Sequence, residues 1–183
     1  IDILILDNYK IKKNWCFQIK KKIKSLVIID DVFKNNYIYD LYINFLNFEK
    51  NKHSKKLLGL KYFILNQEYF YVKKSRIIYD IFINLGTGYF QNYIKNMLFL
   101  LNKIKNIKKV IIVGNFKSLL KKYNKDLKYK VILIDNYCKL SNLISQSNIC
   151  IGAGGMNLLE RIYLNKENIV FACASHQKKL SIH

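Results

Sequence analysis

Short, uninterrupted apolar runs, each closed by a turn and followed by a helical pattern, recur along this chain and narrow its fold more than any other feature. Ile81-Phe82-Ile83-Asn84-Leu85, Val110-Ile111-Ile112-Val113, Val131-Ile132-Leu133-Ile134 and Ile149-Cys150-Ile151 are examples. A strand covered on both faces reads as one continuous apolar run, as in parallel sheets. We therefore predict strands over 78–85, 110–113, 131–134, 149–151 and 168–173. Helices are predicted over 92–104, 116–123, 137–145 and 156–164, with another opening at 175. Earlier in the chain, strands at 3–6 and 26–29 flank a helix over 14–23. A further short strand falls within 39–48, 55–62 leads into the apolar 63–65, and 66–75 reads as connector. Repeated β-α units call for an α/β chain with doubly wound parallel sheets. The layout expected is the later part of one Rossmann-like domain plus connector, 1–76, and most of a second, 77–183.

Glycine placement adds a ligand to this picture. The chain has 7 Gly and 0 Pro, and six of the glycines close predicted strands. Gly86 and Gly88 follow one apolar run, Gly114 another, and Gly152, Gly154 and Gly155 a third. Open α/β sheets bind their ligands at such strand ends. In Ile151-Gly152-Ala153-Gly154-Gly155-Met156, glycine permits positive φ and close approach of a ligand to the backbone. The N–H groups and dipole of the helix that follows favour an anion such as a diphosphate. Glu160 lies roughly 7–8 Å further along that helix, within reach of ribose hydroxyls. The plainer alternative is that these glycines only let helix and strand pack closely, with Glu160 and Arg161 as an exposed ion pair.

Composition removes several other classes. A hydrophobic fraction of 51% excludes a disordered chain. No apolar run approaches the ~18 residues of a membrane helix, so no membrane partner and a soluble, cytoplasmic protein are expected. The formal charge of +20 invites a nucleic-acid reading. The lysines are spread out, however, apart from Lys20-Lys21-Lys22 and Lys121-Lys122. Abundant Lys, Asn, Ile, Tyr and Phe fit an AT-rich coding sequence, so no specific nucleic-acid partner is expected. Cys16, Cys138, Cys150 and Cys173 lack CxxC spacing, which points to reduced thiols rather than a zinc site. No carboxylate or histidine cluster has ligand spacing, so neither metal nor cofactor is expected, and the protein is read as a monomer.

One ordered series of segments resembles a known family. It comprises Asp7-Asn8-Tyr9 with Trp15, Ile28-Ile29-Asp30-Asp31, Asp40-Leu41-Tyr42-Ile43-Asn44, Leu57-Leu58-Gly59-Leu60-Lys61-Tyr62-Phe63-Ile64-Leu65, Asn84-Leu85-Gly86-Thr87-Gly88 and Ile151-Gly152-Ala153-Gly154-Gly155. Over nearly the whole chain these resemble the UDP-2,4-diacetamido-2,4,6-trideoxy-β-L-altropyranose hydrolases of pseudaminic acid biosynthesis. The resemblance implies a GT-B-like fold related to the UDP-N-acetylglucosamine transferases of peptidoglycan synthesis. It implies inverting attack of water on the sugar C1, releasing UDP, in the cleft between the family's two domains. It also implies that a chain opening at Ile1 lacks the family's first strand and its glycine-rich, histidine-bearing loop. The expected base then lies upstream, the chain alone is expected to be inactive, and the closing helices are expected to be absent as well.

The resemblance assigns the remaining candidates. UDP contacts are expected from Gly86, Thr87, Gly88, Gly152, Ala153, Gly154, Gly155, Met156, Glu160 and Gln177. Asp7, Tyr9 and His176 are the sugar-side candidates, with His176 a possible accessory to catalysis. Plainer roles stand beside these: His176 as a helix cap, and Asp7, Asp30 and Asp31 as caps at strand ends. The chain departs from the family where Gly86-Thr87-Gly88-Tyr89 replaces Gly-Gly-x-Asp, His176-Gln177 replaces Asn-Gln and Leu60 replaces a proline. Three rivals follow: a GT-B UDP-sugar transferase, a basic nucleic-acid-binding protein, and an inactive truncated copy.

Overall fold

The computed structural model describes residues 1–8, 10–30, 38–47, 54–73, 75–86, 88, 90–135, 139–173 and 177. The chain divides into two compact units, Ile1–Ile64 and Leu65–His183. It is α/β, and both of its sheets are wholly parallel.

The first unit holds β1 (Ile3–Asp7), α1 (Lys13–Lys20), β2 (Ser25–Ile29), β3 (Leu41–Asn44) and β4 (Lys56–Leu58). Its strands lie side by side in chain order, β1-β2-β3-β4. Right-handed crossovers in a sheet that grows in one direction all fall on one face. On that face Cys16 of α1 and the strand residues Leu26, Ile28 and Tyr42 form a buried cluster, with Leu4, Leu6 and Ile19 packed against it. The alternate positions face the other way, and there Ile3 and Ile5 are each 61% exposed.

The second unit opens with a 3-10 helix, Gln67–Tyr71, then β5 (Tyr79–Asn84), α2 (Gln91–Leu101), β6 (Lys109–Val113) and α3 (Lys117–Tyr123). It continues with β7 (Lys130–Ile134), α4 (Leu140–Ser145), β8 (Ser147–Ala153), α5 (Met156–Tyr163) and β9 (Glu167–Phe171). The predicted strands are therefore present, and β8 extends past its apolar run through Gly152 to Ala153. The predicted 137–145 helix is described only over α4, and the predicted helix opening at 175 falls on residues outside those described, apart from Gln177.

This sheet is covered on both faces. Ile94, Met97, Leu98 and Leu101 recur on one side of α2 at the i, i+3, i+4, i+7 spacing of an amphipathic helix. They pack with α3 and with Ile81, Ile83, Val110 and Ile112. Each such fully buried side chain contributes about 1.5–3 kcal/mol at most. The opposite cluster joins Phe82, Ile111, Val113 and Cys150 to Ile144 of α4 and to Tyr69 of the opening 3-10 helix. The strand order is β7-β6-β5-β8-β9. The chain thus runs outward from β5 to β7, returns to the far side of β5 as β8, and continues to β9.

Candidate functional site

That return creates a switch point between β5 and β8, where consecutive connections leave on opposite faces, the position at which open α/β sheets bind their ligands. Asn84 ends β5 and pairs in register with Gly152 of β8. The segments that follow β5 at Gly86 and β8 at Gly154 therefore leave neighbouring strands. Strand positions alone predict neither this order nor this adjacency.

The glycines at the two strand ends answer different physical demands. Gly86 has φ of 87° and open space where a Cβ would be, so its conformation requires glycine. Its N–H donates to Asn84 Oδ1 at 2.7 Å, a tight turn closing the strand. Gly152, Gly154 and Gly155 are not among the positive-φ glycines, which are Gly59, Gly86 and Gly114. The expected positive φ in this turn is thus replaced by a steric demand. A Cβ at Gly152 would fall onto the guanidinium of Arg161 and within 2.5 Å of the Asn84 carbonyl. Gly154 donates its N–H to Phe171 O at 3.0 Å, extending the β8–β9 ladder. Gly155, with φ of −104°, is the residue preceding α5. The N–H groups that open a helix have no partner inside it, so the turn presents the donors of Gly155, Met156 and Asn157. Gly154 and Ala153 are buried, whereas Met156 is exposed.

Glu160 is half-buried, and its carboxylate is held from two sides. Asn157 Nδ2 donates to Glu160 Oε2 at 2.7 Å. The Tyr69 side chain, from the 3-10 helix that opens the unit, interacts with it as well. Burial raises the Glu160 pKa above its ordinary value, while the polar contacts with Tyr69 and Asn157 oppose the shift. Burial also raises the Tyr69 pKa. A carboxylate has about four acceptor positions, so these contacts leave capacity for ligand hydroxyls. Tyr69 and Asn157 carry no sequence signal for this role; only the fold brings Tyr69 to α5.

Arg161 departs from the expected exposed edge. It is fully buried, while its neighbours Ile162 and Tyr163 are 55% and 50% exposed. Its Nη2 donates to Ala153 O at 2.9 Å and its Nε to Asn157 O at 3.2 Å. Among the described residues it forms no ion pair with Glu160. The slot it occupies is the one that Gly152 leaves by having no side chain. Burial draws the guanidinium pKa down to about 10.

The other expected contacts divide three ways. Gln177 lies at the turn: its Oε1 accepts from Cys173 N at 2.9 Å, and its Nε2 would stand 3.5 Å from a Cβ on Gly155. Gly88 is exposed beside Phe90. Asp7 ends β1 in the first unit and is exposed. Asp30 is buried there and accepts the Tyr42 hydroxyl at 3.0 Å. Tyr9, Asp31, Thr87 and His176 lie outside the described residues. Among the described residues no three His, Cys, Asp or Glu side chains gather in a way that could hold a metal ion. None of the described helices is long and apolar enough to cross a membrane. Cys16, Cys150 and Cys173 are free thiols, and burial pushes Cys150 up to about 11, leaving it protonated and unreactive.

No protein-family model matches the chain, and neither does any curated protein.

Proposed function

We propose that the chain is part of a UDP-sugar hydrolase of GT-B-like fold that binds UDP through its second unit. The observation that carries this reading is the switch point, where a glycine turn and the opening of α5 stand side by side at the ends of β5 and β8. In this reading the donors of Gly155 and Met156 hold the diphosphate. Gly86 and Gly88 let it approach the neighbouring strand end. Glu160, aimed by Tyr69 and Asn157, accepts the ribose hydroxyls. Gln177 closes the turn from above Gly155. The donors stabilise negative charge on the leaving diphosphate as the bond from sugar C1 to the UDP oxygen breaks. The ordered resemblance described above supports a 2,4-diacetamido-2,4,6-trideoxy-altropyranose as the sugar.

Assay of the full-length gene product with the UDP-altropyranose derivative and water as the only acceptor tests this. UDP release without an added acceptor is expected. Release that begins only when a sugar or lipid acceptor is supplied makes the protein a transferase. An enzyme that binds oligonucleotides at physiological salt and never UDP contradicts both.

A further inference from the structure

We propose that Arg161 is a buried electropositive support for the turn at 152–156. The site it serves takes a multiply charged phosphate anion of the pyrophosphate or nucleoside-diphosphate class. This rests on the diphosphate reading of the turn and adds to it a residue that no glycine motif identifies. The guanidinium is fully buried, and two of its nitrogens are committed to backbone carbonyls on either side of the turn, Ala153 O and Asn157 O. The third nitrogen, Nη1, is buried without a hydrogen-bond partner among the described residues. It abuts Gly152 opposite the Asn84 carbonyl, so the unspent donor sits at the strand ends that the two glycine segments flank.

No salt bridge compensates this charge among the described residues. Among the described residues the ion pairs are Lys20–Asp40 and Lys24–Asp2, both in the first unit. Glu160, the preceding residue, attracts the guanidinium through space, but its carboxylate is hydrogen-bonded to Asn157 and forms no salt bridge with it. Cys150 is a protonated thiol and supplies no counter-charge. A buried cation without a salt-bridged counter-ion is costly, and a neutral side chain would be the cheaper brace for two carbonyls. The positive end of α5 adds to the same field. An anion seated on the turn offsets both.

Calorimetric titration of inorganic pyrophosphate, UDP and uridine into the full chain, as wild type, Arg161→Lys and Arg161→Met, tests this. In Arg161→Met, affinity for pyrophosphate and UDP is expected to fall by about tenfold or more. Uridine affinity is expected to stay unchanged, and Arg161→Lys to keep most of the anion affinity. Equal losses for all three ligands would mean that Arg161 only braces the backbone, and would overturn the proposal. So would unchanged pyrophosphate affinity in a folded Arg161→Met protein, or a wild type that binds no pyrophosphate. Arg161-dependent binding of pyrophosphate without binding of UDP supports the anion site and sinks the nucleotide reading instead. If Arg161→Met does not fold, the wild-type Arg161 Nε–H resonance decides. A shift with pyrophosphate and not with uridine supports the proposal, and a signal unmoved by either overturns it.

Discussion

The two parallel sheets of this chain are built from similar apolar strands yet differ in what their order allows. The first grows one way, β1 to β4; α1 packs on one face, and Ile3 and Ile5 on the other stay largely exposed. The second reverses at β5, so helices cover both faces, and Phe82, Ile83, Ile111 and Ile112 are all completely buried. The same reversal parts the connections at the ends of β5 and β8. Burial of both faces and the parting of the connections thus have a common origin in strand order. In the first sheet Leu26 is fully buried, but Ile3 and Ile5 at the alternate positions are open.

The largest expected effect sets the two sheets against each other. Ile112→Ala opens a cavity in a closed core and should cost about 2–5 kcal/mol, read from urea unfolding followed at second-unit amides. Ile5→Ala, at a position 61% exposed, should cost less than about 1 kcal/mol by the same measurement on the first unit. Similar losses would mean that both faces of the first sheet are as closed as those of the second.

A smaller contrast lies within the site. Gly152→Ala drives a methyl into Arg161 and the Asn84 carbonyl, both buried, and should destabilise the second unit by about 3 kcal/mol. Gly86→Ala meets open space and loses only its ease at φ of 87°, about 1 kcal/mol. The reverse ranking would show that backbone conformation, rather than space for the guanidinium, fixes glycine at 152.

This pair also marks how far the sequence could be read. Strand positions and the parallel class follow from the apolar runs, because a strand buried on both faces shows its burial as composition. Strand order does not, since Ile111 of β6 and Ile151 of β8 look alike although one flanks each side of β5. Gly152 reads as a turn glycine, yet its reason is a side chain nine residues later. Arg161 reads as surface because charged residues are rarely buried. The periodicity of Leu158, Leu159 and Ile162 points the wrong residue inward, since Ile162 is exposed and Arg161 is not. The contact between Tyr69 and Glu160 is tertiary and leaves no local trace.

Glu160→Gln probes the site more gently. Losing one charge-assisted hydrogen bond to ribose is worth about 1.5–3 kcal/mol, so UDP affinity should fall roughly ten- to a hundredfold by calorimetry. The same variant should alter the dependence of stability on pH. The unfolded chain releases the Glu160 proton near 4.5 and the folded chain at higher pH, because the carboxyl is partly buried. Through that window the folded state holds more protons, so stability falls as pH rises. Glu160→Gln should flatten this slope, and an unchanged slope would remove Glu160 as its source. Unchanged UDP affinity in the folded variant would remove Glu160 from the ribose site.

The most direct test of the switch-point assignment is an amide-resolved titration of UDP into the full chain. The largest shifts are expected at Leu85 and Gly86 beyond β5 and at Gly155, Met156 and Asn157 opening α5. Gly114 and Asp135, which follow β6 and β7, should stay still. Shifts centred on Gly114 and Asp135, or none at millimolar UDP, would contradict a nucleotide site between β5 and β8.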